Sequence, residues 1–209
     1  MKHTTPILIL IILVLGCKNE TKVLQRGNFQ IASHELTQNQ KDTIFKYISA
    51  YPNETEISLT FITDTNTLFI GLKRVNDSII SMDNKDRLFE IGSITKIFTT
   101  SILANLAVKE EINIHADIQN FFDFKLKESS KSGKFITLEM LASHTSGLPI
   151  EPKFQERYRA LNRYNEYKNF SKSKLENYLK NKMEIKTTPG EEYQYSNIGM
   201  VILGYILEM

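Results

Sequence analysis

Apolar positions change their spacing along this chain, and each spacing predicts a different element. Between residues 37 and 51, Ile44, Phe45, Tyr47 and Ile48 stand among polar neighbours at helical spacing. That predicts a short amphipathic helix stopped near Pro52. The period then becomes two. Ile57, Leu59 and Phe61 alternate with Ser58 and Thr60, and Leu68, Ile70 and Leu72 alternate beyond Asp64-Thr65-Asn66. Side chains alternate across a strand, so these runs predict a β-hairpin. A third short strand is expected near 78–82, after the turn residues Asn76 and Asp77.

Helical spacing returns with Ile94, Ile97, Phe98, Ile102, Leu103 and Leu106, a helix from Ser93 to about Lys109 that is expected to be buried. INIHADIQNFF (112–122) predicts a turn or short extended segment before a brief helix. Thr137 is placed to cap LEMLAS, which leads into His144-Thr145-Ser146-Gly147-Leu148-Pro149. Residues 151–182 mix Tyr, Asn, Lys and Glu with scattered aromatics and predict helices and loops over a site. From Ile198 to Met209 runs an apolar helix without a C-cap glycine, whose exposed face would need a partner.

The N-terminus follows another logic. Lys2 and His3 precede an apolar run, Ile7 to Leu15, that ends at Gly16-Cys17. A bilayer span needs about 20 apolar residues, so this shorter run predicts a signal-peptide core. Leu13-Val14-Leu15-Gly16-Cys17 resembles a bacterial lipobox, which makes Cys17, the only cysteine of the chain, the expected lipidation site. The expected organisation is a signal peptide over 1–17, a polar tether over 18–36 and one folded domain over 37–209. The protein is then exported and held to the membrane by a lipid anchor. With 41% hydrophobic and 24% charged residues the chain is globular in composition. A net charge of +2 gives no field that argues for nucleic acid.

The candidate chemistry lies in FEIGSITKIF. Ser93 and Lys96 are three residues apart at the start of the apolar helix, so both project from one face. Serine is a weak nucleophile until a neighbouring base takes its proton, and an amine can be that base. Burial of the helix would desolvate Lys96 and lower its pKa toward a useful range. Developing negative charge at Ser93 would also meet backbone N–H groups at a helix start. A second S-x-x-K pair, Ser171 and Lys174, lies in a polar lysine-rich segment and reads as a helix cap with a solvated lysine. Tyr195-Ser196-Asn197 follows Pro189-Gly190 and opens the last helix. A phenol can relay a proton, and a carboxamide can orient substrate and lysine together. Tyr51-Pro52-Asn53 and Tyr167-Lys168-Asn169 share the Y-x-N spacing but lack that setting. His3, His34, His115 and His144 show no metal-ligand spacing, and no cofactor is called for.

FEIGSITKIFTT, LASHTSGLP and PGEEYQYSNIGMVILGYILE together resemble the serine β-lactamase and penicillin-binding-protein superfamily. The branch is that of class C β-lactamases, D,D-peptidases and esterases, because the second motif is Tyr-x-Asn. The resemblance implies an α/β (α+β) fold, an antiparallel sheet flanked by helices plus a helical subdomain. It implies Ser93 as acylated nucleophile, Lys96 as base or relay, Tyr195 as proton shuttle and Asn197 as substrate ligand. His144 would belong to a structural turn. The substrate would be a β-lactam, a D-alanyl or peptidoglycan peptide, or an ester. The family's third motif, a basic-Thr/Ser-Gly triplet, does not follow Tyr195. The 209 residues are therefore expected to be the N-terminal portion of a longer enzyme, truncated at the C-terminus and feebly active alone. The competing function is a non-catalytic or slowly acylating penicillin-binding sensor lipoprotein. A Ser-His-Asp hydrolase using His144 would need a G-x-S-x-G elbow, which the chain lacks.

Overall fold

The computed structural model describes residues 36–76, 78–153 and 170–209, which form two compact units divided between Phe89 and Glu90. The expected lipidation site Cys17, residues 18–35 of the expected tether (18–36) and the Tyr167–Asn169 pair lie outside the described residues.

The first unit holds α1 (Gln38–Ile48) and a three-stranded antiparallel sheet of β1 (Glu56–Ile62), β2 (Thr67–Val75) and β3 (Ser78–Ser81), in the order β1-β2-β3. α1 starts at Thr37 because its hydroxyl accepts from the Gln40 N–H while the Gln40 side chain accepts from the Thr37 N–H. This reciprocal box satisfies N–H groups that the helix itself leaves open. The register pairs Ile57 with Leu72, Leu59 with Ile70 and Phe61 with Leu68, so the residues that alternate in sequence share one face. Ile44 and Ile48 of α1 are buried with Ile70, Leu72 and Ile79 in this unit's core. Gly71 is required by a close approach, since a Cβ there would stand 2.1 Å from the Met82 carbonyl oxygen.

The second unit begins with a 3₁₀ turn, Gly92–Ile94, that runs directly into α2 (Thr95–Val108). A further 3₁₀ turn, Ile118–Phe121, is capped by the Asp117 carboxylate. β4 (Ser130–Lys131) and β5 (Lys134–Phe135) make a small hairpin, followed by α3 (Leu138–Ala142), α4 (Lys172–Asn181) and α5 (Asn197–Glu208). Thr137 caps α3 as its sequence suggests, accepting from the Met140 N–H. Ser171 stands at the N-cap of α4. α5 is the central helix of the unit: Ile198, Met200, Ile202, Leu203 and Ile206 are buried against α2 and α3 and among Leu138, Leu141 and Leu179. An apolar helix without a polar face belongs in a core, and most of the surface that the sequence left in need of a partner is covered here.

The expectation that α2 is buried is corrected. Ile97, Phe98 and Ile102 are 63%, 60% and 52% exposed, and Leu103 is its only buried residue. The helix is apolar on more than one side, and α5 packs on only one of them. The enclosure that was to desolvate Lys96 is incomplete, and that side chain is partly buried. Spacing counts apolar residues, whereas burial depends on what stands opposite them.

Candidate active site

The serine, the lysine and the tyrosine meet at one oxygen. Ser93 lies in the 3₁₀ turn and Lys96 in the first turn of α2, so helical geometry alone sets them side by side. Lys96 Nζ donates to Ser93 Oγ at 3.0 Å. Tyr195, just before α5, donates its hydroxyl to the same oxygen at 2.9 Å from 102 residues away in sequence. Lys96 Nζ also lies 4.9 Å from the centre of the Tyr195 ring. Hydrogen bonding to Lys96, then to Ser93, together with the lysine charge, holds the Tyr195 phenol below its ordinary pKa. These interactions stabilise the phenolate more than the phenol.

Tyr195 is held in place from the HTSGLP turn. His144 and Gly147 have positive φ, +59° and +73°. At Gly147 only glycine fits, because a Cβ would lie 2.2 Å from the Thr187 carbonyl oxygen. The turn is laced to the segment before α5: Lys186 N–H donates to Gly147 O at 2.7 Å, Gly190 N–H to Thr145 O at 2.8 Å, and Gln194 N–H to His144 O at 2.7 Å. His144 thus lies in a turn whose carbonyl is tied to the segment before α5. Its ring centre lies 4.5 Å from that of Tyr195. Burial, and next the Lys96 charge, hold its pKa below 6.5.

Asn197 stands on the other side of Ser196, as the first residue of α5, and its Nδ2 donates to Glu151 Oε1 at 3.1 Å. A carboxylate can only accept, so the amide nitrogen must face Glu151 and the amide oxygen is turned elsewhere. The side-chain bond of Asn197 therefore goes to Glu151 rather than to Lys96. Ser196, fully buried between the two candidate residues, caps α5: its Oγ accepts from Gly199 N–H at 2.9 Å and donates to Pro149 O at 2.7 Å. The motif spacing assigns no role to Ser196 or Glu151. A serine before an apolar helix is a cap signal that identifies the first; nothing local marks the second. Tyr51, of the alternative Y-x-N pair, lies in the other unit, and Asn53 there bonds to Asn76. Among the described residues no group of His, Cys, Asp and Glu is placed to hold a metal ion.

The chain is 28% identical over 121 residues to Protein flp of Staphylococcus aureus strain N315, a match spanning 57% of this chain and 22% of the relative. It is 38% identical over 81 residues to Beta-lactamase-like protein 4 of Dictyostelium discoideum, covering 37% of this chain and 14% of that protein. The chain thus spans well under half the length of these relatives. Among solved structures, the beta-lactamase/D-alanine carboxypeptidase of Yersinia pestis complexed with citrate aligns with a TM-score of 0.57 at 23% identity, covering 75% of this chain and 43% of the other. The octameric penicillin-binding protein homologue of Pyrococcus abyssi aligns with a TM-score of 0.60 at 21% identity, covering 81% and 38%. These two show a shared mixed α/β fold, of the β-lactamase/transpeptidase kind. Residues 74–209, which include Ser93, Lys96, Tyr195 and Asn197, match the family model described as Beta-lactamase, and the chain belongs to that family.

Proposed function

We propose that this protein is a serine hydrolase acting through an acyl-serine intermediate on a β-lactam, a D-alanyl peptide or an ester. The observation that carries this reading is the single oxygen, Ser93 Oγ, within hydrogen-bond reach of both Lys96 Nζ and Tyr195 OH. Both neighbours are drawn as donors, so one must lose its own proton before it can take that of Ser93. The lowered Tyr195 pKa favours the phenol, with Lys96 remaining as the cation that stabilises the phenolate. Tyr195 accepts the Ser93 proton as Oγ attacks the carbonyl carbon, then passes it to the leaving nitrogen or oxygen. The acyl–Ser93 ester is released by water, whose proton returns along the same path. Ser93 lies in the 3₁₀ turn that leads into α2, so negative charge developing on its oxygen would meet the positive end of that helical run.

The test uses the intact protein with a fluorescent penicillin, a chromogenic β-lactam, a D-alanyl-D-alanine peptide and a nitrophenyl ester. Labelling and turnover that vanish in Ser93→Ala support the reading, and their survival in that variant refutes it. Rapid release of the label marks a hydrolase; a label that persists marks a penicillin-binding sensor. The reading extends to export and lipid anchoring through Cys17, supported by the apolar run before it. No described helix is long and apolar enough to cross a membrane. Radioactive palmitate fed to expressing bacteria should enter the wild-type protein and not Cys17→Ala; equal incorporation removes this part of the proposal.

A further inference from the structure

His144 is a non-glycine residue in the left-handed region, at φ +59°. That conformation is unfavourable for an ordinary L-residue and persists only where the surroundings over-determine it. The surroundings here are the two peptide groups that flank one side chain. Gln194 N–H donates to the His144 carbonyl at 2.7 Å, and Ser196 N–H donates to His144 Nδ1 at 3.2 Å. The residue between them is Tyr195, and the imidazole packs on its ring with centres 4.5 Å apart.

We propose that His144 is the positioning residue of Tyr195: one residue grips the backbone on both sides of the tyrosine and backs its ring, which aims the phenol at Ser93 Oγ. The inference rests on the reading of Tyr195 as proton carrier. Two bonds fix where the residue-195 backbone lies, and the ring contact limits how its side chain rotates. The left-handed backbone at residue 144 lets its carbonyl and its side chain reach residues two apart in the segment before α5. Misplacing a reacting group by an ångström can cost roughly 10² in rate, so such a grip has catalytic weight without touching substrate.

The grip also has a charge state. Nδ1 accepts from the Ser196 N–H, so it must carry a lone pair, and the ring is neutral with its proton on Nε2. Protonation would turn Nδ1 into a donor facing a donor and strand the N–H of fully buried Ser196. The titratable groups that face the ring are Lys96, Tyr195 and Tyr193, whose ring centre lies 5.9 Å away. None of them is a carboxylate, and burial and the Lys96 charge disfavour an imidazolium. Acid should therefore loosen Tyr195 before it unfolds the protein.

The experiment compares wild type, His144→Asn, His144→Ala, Tyr195→Phe and the His144→Ala/Tyr195→Phe double variant, all as intact protein. Acylation is followed from pH 5 to 8 with a fluorescent penicillin and a nitrophenyl ester. Asparagine tolerates the left-handed backbone and keeps an acceptor near Nδ1 but cannot titrate. His144→Asn should retain acylation within about three-fold and lose the acid limb. His144→Ala should fall by roughly 10–100-fold, and the double variant should be no slower than Tyr195→Phe alone, because two residues acting as one unit are not additive. A His144→Ala protein of lowered melting temperature but wild-type acylation and pH profile would make the histidine merely structural and overturn the proposal. Independent, multiplying losses in the double variant would do the same. Hydrogen exchange at the Ser196 amide, corrected for its intrinsic pH dependence, should lose protection in acid in wild type but not in His144→Asn, which reads the grip without activity. Wild-type acylation in Tyr195→Phe would instead remove the tyrosine from the chemistry, and the amide exchange would still decide whether His144 holds that segment.

Discussion

Ser196→Ala perturbs the joint that holds both Tyr195 and Asn197. Its hydroxyl makes two bonds inside the protein, accepting from Gly199 N–H and donating to Pro149 O. Loss of an N-cap hydroxyl costs about 1 kcal/mol, within a range of roughly 0.5–2. The Pro149 carbonyl would also lose its partner, and a buried unsatisfied acceptor costs about 1–3 kcal/mol. Pro149 is partly exposed, so water can replace some of that bond and the lower figure applies. The total expected is about 2–3 kcal/mol. With a urea slope of about 2 kcal/mol per molar, the unfolding midpoint should fall by about 1–1.5 M without a change of slope. Ser173→Ala is the control, because its bond to Ser171 lies at the surface and its removal should stay within about 0.5 kcal/mol. Urea unfolding of both variants, followed by tyrosine fluorescence, gives the comparison. A Ser196→Ala protein as stable as the control would refute the claim that this hydroxyl fastens α5 to the Pro149 segment.

Tyr195→Phe keeps the ring against His144 but removes the hydroxyl from Ser93, so acylation should fall by roughly 10²–10⁴ while the melting temperature barely moves; a matching loss of stability would show that the hydroxyl is structural. Gly147→Ala meets the Thr187 carbonyl at 2.2 Å and a left-handed backbone as well, and it should destabilise the protein by more than about 2 kcal/mol in chemical denaturation. Its melting temperature should drop accordingly, and an unchanged one would mean that the 186–187 segment can move aside. Folding should depend on pH through His144, whose pKa is below 6.5 in the folded state because of burial and Lys96. Between that lowered value and 6.5 the unfolded chain binds more protons, so this contribution is full above 6.5 and fades as pH falls through the folded value. Unfolding free energies at pH 7.5 and 5 should differ more in wild type than in His144→Asn, and an equal difference would remove His144 as the source.

Local chemistry settled a large part of this protein before any fold was known. The alternation of Ile57, Leu59 and Phe61 and of Leu68, Ile70 and Leu72 predicts both strands, and the observed register pairs those same residues. Thr37 and Thr137 are caps by sequence and by structure. Ser93 and Lys96 are neighbours because a helix places residues three apart on one face. What spacing could not decide was everything that depends on residues far apart in the chain. Y-x-N occurs at three places, and among the described residues it is the folded second unit that brings one phenol, that of Tyr195, onto Ser93. The sequence marked α2 as buried, yet apolar residues bury only where another surface meets them, and α5 covers one side. Glu151 as the partner of Asn197 and His144 as the grip on Tyr195 are joined across 46 and 52 residues, through the Asn197 amide and the Ser196 N–H. Helix and strand periods are written in neighbouring residues because backbone geometry repeats locally. A hydrogen bond between distant segments is set by how the chain returns on itself, and that return is a property of the packed core.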